Sequence, residues 1–342
     1  MVTTTCPVEN ERYIQRILHY TLKYAYNMSP FYRSLFKKAD VNLRKILTFE
    51  DLTKLPLTYP DDIRRNQPPL SHNFMFLSAP FEKIVSINLT SGTTETPKII
   101  FATKNDWIKW SEAINILLKS IGLERGKDIL LNTIPHGTHT AGFTVFQCSV
   151  NAGYSLLNIY TLTPREIATF IKILKRKGRL TIIGLPSKLI QLGDVLKEEE
   201  IQKYITNVIT TGEHINNNLF KRLSEVWGRN IFNVYGMVEF GCIAYECRYQ
   251  NGLHVLEENI YIDIRDPYDL TRSLPSGKEG VIVATKLLKP GEDTGSILIN
   301  YVTNDISKII SRDCHCRCGN FGTKISPPYP RIPRLDKGGL LR

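Results

Sequence analysis

Four hydroxyls, Thr90, Ser91, Thr93 and Thr94, crowd into the stretch Leu89-Thr90-Ser91-Gly92-Thr93-Thr94-Glu95-Thr96-Pro97-Lys98, with Gly92 among them and one ammonium, Lys98, at its end. Hydroxyls, backbone amides laid open around a glycine and a single cation are the donors that phosphate oxygens need, here without the spacing of a Walker loop. The competing reading is a plain turn whose hydroxyls bond their own backbone. A second set ligates metals: Cys247-x6-His254 and, further on, Cys314-x-Cys316-x-Cys318. Four such ligands from two places suit a closed tetrahedral zinc site that pins two loops together; free buried thiols are the alternative, and Cys6, Cys148 and Cys242 are assigned to it. A third set is the loop His136-Gly137-Thr138-His139-Thr140-Ala141-Gly142, whose glycines let a backbone approach a ligand and whose histidines could equally be satisfied surface residues.

Stepping outward, the hydroxyl-rich turn lies between two β-branched runs, Ile84-Val85-Ser86-Ile87 and Ile99-Ile100-Phe101, which read as strands. Upstream, residues 11–38 carry a helical pattern (Tyr13, Ile17, Tyr20, Tyr24) broken at Ser29-Pro30, where serine caps and proline opens a second helix. Thr48 with Asp51, and Thr58 with Asp61, have the shape of capping boxes with aspartate in the acidic position. Downstream the periodicity alternates. Helices read from about Asp106 to Ile121, from Thr163-Pro164 to Lys177, from Pro186-Ser187 and from Asn216 to Trp227, between strands at Asp128–Thr133, Tyr154–Leu157, Leu180–Ile183, Asn207–Thr210 and Ile231-Phe232. This implies right-handed crossovers, a largely parallel sheet covered on both faces, and ligands gathered in the loops after the strands. A further strand reads at Gly280–Thr285 and leads to Leu298-Ile299-Asn300-Tyr301-Val302-Thr303-Asn304-Asp305.

The chain of 342 residues, 42% of them hydrophobic, can bury a sizeable core as one large or two medium domains. Its net charge of +11 invites a nucleic-acid reading, but lysine and arginine are spread along the chain, and the densest run, Lys175-Arg176-Lys177, reads as the solvated end of a helix. No stretch approaches the roughly twenty apolar residues of a membrane span and Met1-Val2-Thr3-Thr4-Thr5 has no signal pattern, so a cytoplasmic protein is expected. Seven cysteines, three of them crowded together, are metal-site usage more than disulfide usage.

With these residues in view, the hydroxyl-rich turn resembles the phosphate-binding signature of adenylate-forming enzymes, Ser/Thr-Ser-Gly-Thr-Thr-Gly-x-Pro-Lys, departing at Glu95, where glycine would allow a positive φ and bring no negative charge. Pro30-Phe31-Tyr32-Arg33 and Phe49-Glu50-Asp51-Leu52-Thr53-Lys54-Leu55-Pro56 are similar to the opening of phenylacetate-coenzyme A ligases, one branch of that superfamily. The resemblance implies an α/β fold, the large N-terminal domain of adenylate-forming enzymes, with mostly parallel sheets flanked by helices and a small β-rich subdomain. It implies a helical opening segment over residues 1–80, a nucleotide- and substrate-binding core over 81–240, a β-rich zinc-bearing subdomain over 241–336 and a truncated hinge at 337–342.

It also assigns roles. Thr90, Ser91, Gly92, Thr93, Thr94 and Lys98 would hold phosphates, and the loop with His136, His139 and Gly142 would line a carboxylic-acid pocket. Thr211-Gly212-Glu213-His214 resembles the turn that packs on adenine, with His214 in place of proline. Asn233-Val234-Tyr235-Gly236-Met237-Val238-Glu239 resembles the Tyr-Gly-x-Ser/Thr-Glu motif, so Asn233, Tyr235 and Gly236 would meet nucleotide and Glu239 magnesium. Val238 cannot donate as the family's hydroxyl does, which removes a bond worth on the order of 1.5 to 3 kcal/mol. Tyr301, Thr303 and Asp305 match the family's Tyr-Arg-Thr-Gly-Asp while Val302 and Asn304 depart from it, and a carboxylate at Asp305 suits a ribose diol. Relatives with a Cys/His pair followed by Cys-x-Cys-Gly support structural zinc on Cys247, His254 and Cys316, the choice between Cys314 and Cys318 staying open.

Arg331-Ile332-Pro333-Arg334-Leu335-Asp336 resembles the hinge to the small C-terminal domain, and with the sequence stopping at Arg342 that domain is expected to be absent, together with the adenylation lysine and part of the coenzyme A tunnel. Expected ligands are therefore ATP or AMP, magnesium, coenzyme A and a carboxylic acid. A separate domain-bearing protein or an acyl carrier protein would serve as partner, and a homodimer would be in keeping with the family. A homologue that has kept the fold and binds nucleotide or a protein without turnover is the alternative.

Overall fold

The computed structural model describes residues 7–90, 96–137, 140–197, 200–228 and 230–329. They form two compact units, each built from separated stretches of chain: one from within residues 7–107 and 257–306, the other from within 108–256 and 307–329.

In the first unit, helix α1 (Pro7–Met28) turns Ile17, Leu18, Leu22 and Ala25, one stripe at helical spacing, into the interior. Ser29 accepts from the Tyr32 amide and proline follows it, so α2 (Pro30–Lys38) starts where the cap and proline place it. The first anticipated capping box forms: Asp51 Oδ2 accepts from the amides of Leu47 and Thr48 at 2.9 and 3.0 Å. The second is displaced by one residue. Asp62, not Asp61, reaches back to the Tyr59 amide at 2.9 Å to open α3 (Pro60–Arg65), and Thr58 Oγ1 instead donates to Ile299 O at 2.8 Å. Strands β1 (Ile84–Leu89) and β2 (Ile99–Thr103) pair antiparallel around the hydroxyl-rich turn.

Helix α4 (Lys104–Ser120) leads into the second unit, where α/β alternation runs through β3 (Asp128–Asn132), α5 (Ala141–Asn151), β4 (Ser155–Asn158), α6 (Pro164–Leu174), β5 (Arg179–Gly184), α7 (Pro186–Lys197), β6 (Ile205–Thr211), α8 (Asn217–Trp227) and β7 (Ile231–Met237). Antiparallel β8 (Gly241–Glu246) and β9 (Leu253–Val255) follow. The chain then builds the first unit's four-stranded sheet from β10 (Ile260–Asp266), β11 (Asp269–Ser273), β12 (Gly280–Lys286) and β13 (Tyr301–Ser307), in the order β11-β10-β12-β13. The last described strands, β14 (Ile309–Ser311) and β15 (Lys324–Ile325), belong to the second unit.

The large sheet has nine strands in the order β14-β15-β9-β8-β7-β6-β5-β3-β4; β4-β3-β5-β6-β7 are parallel and the rest antiparallel, so it is mixed. From β3 the chain steps outward to β4, then back past it to β5, β6 and β7. Right-handed crossovers then put α5 on one face and α6, α7 and α8 on the other. The core under the latter three agrees: Leu131, Ile182 and Val208 from the strands meet Ile171, Leu189 and Leu223 from the helices. The strand order reverses between β3 and β5, and in sheets of this kind ligands bind beyond the carboxyl ends at such a reversal.

Candidate functional site

In the first unit Thr90, just after β1, and Lys98, just before β2, are bonded to each other. The Thr90 amide donates to Lys98 O at 3.1 Å and the Lys98 amide donates to Thr90 Oγ1 at 3.0 Å, so one hydroxyl is used locally, as the plain-turn reading has it. The Lys98 ammonium is not at the surface: 6% exposed, it donates to the hydroxyl of fully buried Tyr301, 3.1 Å away. Burying a lysine is costly unless its charge meets partners, so its placement is a specified feature. Gln67, itself buried, bridges the residues on either side of Lys98, donating to Pro97 O at 2.6 Å and accepting from the Ile99 amide at 2.7 Å. Nothing in the sequence marks Gln67, because a side-chain amide clamped across a distant strand has no local pattern. Ser91, Gly92, Thr93 and Thr94 lie outside the described residues.

Asp305 is on β13, its amide donating to Thr303 Oγ1 at 3.1 Å. Asn304 before it takes φ 64°, the left-handed conformation that the resembling motif provides with glycine. Asparagine is among the few side chains that tolerate it, so the departure at Asn304 preserves the backbone path.

In the second unit the chemically loaded loops follow β3, β5, β6 and β7. After β3, the His136 ring sits among Phe143, Phe146 and Tyr160, with centroids 5.0 to 6.0 Å apart, and its Nε2 is buried with no hydrogen-bond partner among the described residues. Gly142 is required for packing: a Cβ there would lie 2.4 Å from the carbonyl oxygens of Ile134 and Pro135. Its carbonyl accepts from Asn132 Nδ2 at 3.2 Å, which ties the start of α5 to the end of β3. His139 lies outside the described residues.

After β6, Gly212 has φ +80°, and Glu213 accepts from the amide and hydroxyl of Ser187 at 2.9 and 2.8 Å. A carboxylate at the first turn of α7 satisfies amides that lack helical partners and meets the positive end of the helix dipole. Glu213 thus joins the loops after β5 and β6. His214 Nδ1 lies 2.7 Å from Pro328 O. Tyr235 and Gly236, expected in a loop, belong to β7, which pairs with β8 as far as Met237 opposite Gly241. Only Val238, Glu239 and Phe240 form the turn, and Glu239 is 2% exposed rather than a surface acid. The Asn233 amide donates to Glu246 Oε2 at 3.0 Å; burial pushes that carboxyl up to about 7.

Also in the second unit, Cys247, His254, Cys316 and Cys318 bring one ligand atom each within 4.8 Å of all the others. Cys314 is not part of the group. Cys247 and Cys316 sulfurs are 3.8 Å apart and Cys318 Sγ is 3.5 Å from His254 Nε2. Burial, reinforced by the charge of Lys324, lowers the imidazole pKa to about 4, so its lone pair is free of a proton at neutral pH. Burial pushes the Cys247 thiol up to about 12. Three sulfurs and an imidazole in one small, mostly buried space are a donor set that zinc fits.

A doubly wound sheet with loaded loops at its carboxyl edge, together with a unit that buries a lysine just before β2, defines an α/β protein. The chain belongs to the AMP-binding enzyme family, whose model matches residues 39–297. It is similar to the phenylacetate-coenzyme A ligases of Thermus thermophilus, 26% identical with 94% of this chain and 71% of the relative covered, and of Pseudomonas putida, 23% identical with 91% and 69% covered. Among solved structures, a 2-hydroxyisobutyryl-CoA ligase in complex with 2-HIB-AMP and CoA has the same fold, with TM-score 0.82 at 20% identity over 96% of this chain and 69% of that one. ATP-bound MatB from Rhodopseudomonas palustris matches with TM-score 0.53 at 18% identity over 74% and 50%. No helix among the described residues is long and apolar enough to cross a membrane.

Proposed function

We propose that this protein activates a carboxylic acid with ATP as the acyl-adenylate, as an AMP-forming acid-thiol ligase of the phenylacetate-coenzyme A ligase kind. The observation that carries this reading is the buried Lys98 ammonium, which donates to the Tyr301 hydroxyl while Gln67 fixes the backbone on either side of Lys98. In the reaction a carboxylate oxygen attacks the α-phosphorus and pyrophosphate leaves, so catalysis is chiefly positioning and stabilisation of phosphate charge. Lys98 and the hydroxyls of Thr90, Ser91, Thr93 and Thr94 supply donors to the leaving phosphates, Tyr235 with Gly212 and Glu213 packs on the base, and Asp305 accepts from the ribose hydroxyls. Glu239 offers a carboxylate to magnesium, which when bound neutralises phosphate charge. His136 and the rings around it form an aromatic wall suited to an aryl acid. Coenzyme A is the proposed acyl acceptor. The Cys247, His254, Cys316 and Cys318 set would hold zinc as a closed structural centre.

Calorimetric titration of ATP with magnesium tests the reading, followed by pyrophosphate release with phenylacetate and other aryl acids. The wild type should bind in the micromolar range. Lys98→Met, which removes one charge-assisted contact of about 1.5 to 3 kcal/mol, should weaken binding roughly tenfold or more, and Glu239→Ala should abolish the magnesium dependence. No heat with the wild-type protein and no pyrophosphate with any acid would overturn the proposal.

A further inference from the structure

Lys324 is among the most deeply buried side chains of the protein, 1% exposed, yet it carries a cation. It lies on β15 directly opposite His254 of β9, and its ammonium donates to Asn251 Oδ1 and to the sulfur of Cys316, 3.6 Å away. An ammonium taken out of water costs several kcal/mol unless an opposite charge meets it. One neutral amide and one sulfur, a weak acceptor, are the partners its ammonium has. Glu246 interacts electrostatically with Lys324, and its carboxyl is itself buried and accepts from the Asn233 amide.

The arithmetic changes when the cysteines bind metal. Cys247, Cys316 and Cys318 as thiolates carry three negative charges, His254 binds neutral, and a divalent ion brings two positive charges. The centre is left with one net negative charge in a mostly buried place. We propose that Lys324 is the fixed counter-cation of this centre, its N–H···S bond to Cys316 balancing the third thiolate and favouring a divalent ion over a neutral, metal-free thiol cluster. The inference rests on the zinc reading above and extends it from the four ligands to the residue that makes a three-thiolate site electrically affordable. Outer residues that hydrogen-bond metal ligands commonly tune affinity tenfold to a hundredfold. Lys324 is therefore a positioning and charge-balancing residue, and no ligand itself.

The test uses the full chain purified without added metal. Zinc content is measured first, then zinc affinity by competition with a chromophoric chelator, for the wild type, Lys324→Arg and Lys324→Met. Methionine keeps most of the volume and removes the charge. The expected result is one zinc per wild-type chain, affinity within about threefold for Lys324→Arg, and a loss of at least tenfold for Lys324→Met. Cobalt(II) substitution supplies a signature that packing alone would not move: without the neighbouring cation the thiolate-to-cobalt charge-transfer band of Lys324→Met shifts to lower energy. Circular dichroism checks that the variants are folded, and if Lys324→Met does not fold, Lys324→Gln replaces it. A wild type that neither contains nor binds zinc would overturn the metal centre and the counter-cation together. A zinc-loaded wild type with unchanged affinity and unchanged cobalt spectrum in the charge-removed variant would overturn the counter-cation alone.

Discussion

Asn304 shows how a residue that departs from a motif can preserve what the motif does. Its φ of 64° is costly for most side chains, by roughly 1 to 2 kcal/mol, and cheap for asparagine or glycine. Its Oδ1 is buried without a hydrogen-bond partner among the described residues, so asparagine serves here through its backbone. Asn304→Gly should leave the urea midpoint nearly unchanged, whereas Asn304→Val should lower stability by about 1 to 2 kcal/mol; equal midpoints for the two would contradict the account. Asp51 gives a pH-dependent case. Hydrogen bonds from Lys54, then from the Leu47 amide, hold its carboxyl at about 2, below its ordinary 3.8. A depressed carboxyl stabilises the fold above its unfolded pKa, and that contribution is lost as pH falls from about 3.8 towards 2. Asp51→Ala should therefore cost about 1 kcal/mol at neutral pH, and the gap from wild type should close as denaturation is repeated towards pH 2.5. A gap independent of pH would mean that Asp51 acts by packing.

At the scale of elements, α7 and α8 meet at Gly193, where a Cβ would stand 2.1 Å from Val226 Cγ1 and 2.8 Å from the Trp227 ring. Trp227 cannot swing away freely, because its Nε1 donates to Leu189 O at 3.0 Å on α7. Alanine usually favours a helix over glycine by about 1 kcal/mol, but overpacking a fixed interface costs about 1 to 3 kcal/mol. Gly193→Ala should accordingly lower the melting temperature, and a rise would show that the two helices separate easily. Alternation of helix and strand, the cap at Ser29 and the box at Asp51 were legible because each depends on neighbours within one turn. The box at Tyr59 and Asp62 was misplaced by one residue because the Thr58 hydroxyl donates to Ile299 O, 241 residues away, which no local pattern reveals. The motif around Tyr235 read as a loop for the same kind of reason: its last strand residues are fixed by pairing with β8, a partner that follows only after the turn.

The chain contributes to its two units alternately along the sequence, since residues 257–306 return to the first and 307–329 to the second. The cysteine and histidine cluster joins the two passages through the second unit, 247–254 and 316–318, and so would staple the returning segment in place. Chelating zinc from the purified protein should lower its melting temperature and quicken proteolysis within 307–329; Cys318→Ser should reproduce both effects and Cys314→Ser neither. If Cys314→Ser behaved like chelation, the ligand set would be wrong. The amino-acid sequence by itself determined the residue chemistry: a hydroxyl-rich stretch ending in lysine, a thiol-rich pair of stretches, and alternating elements whose family resemblance the match over 39–297 bears out. Those features are local, set by side-chain type and by the repeats of helix and strand. Only the tertiary structure decided that Cys318 rather than Cys314 joins the cluster, that Gln67 clamps Lys98, that Glu213 caps α7 and that Lys324 is buried against Cys316. Each of these choices depends on which strands lie side by side and in what register, and chemically equivalent donors a few residues apart look alike until that register is fixed.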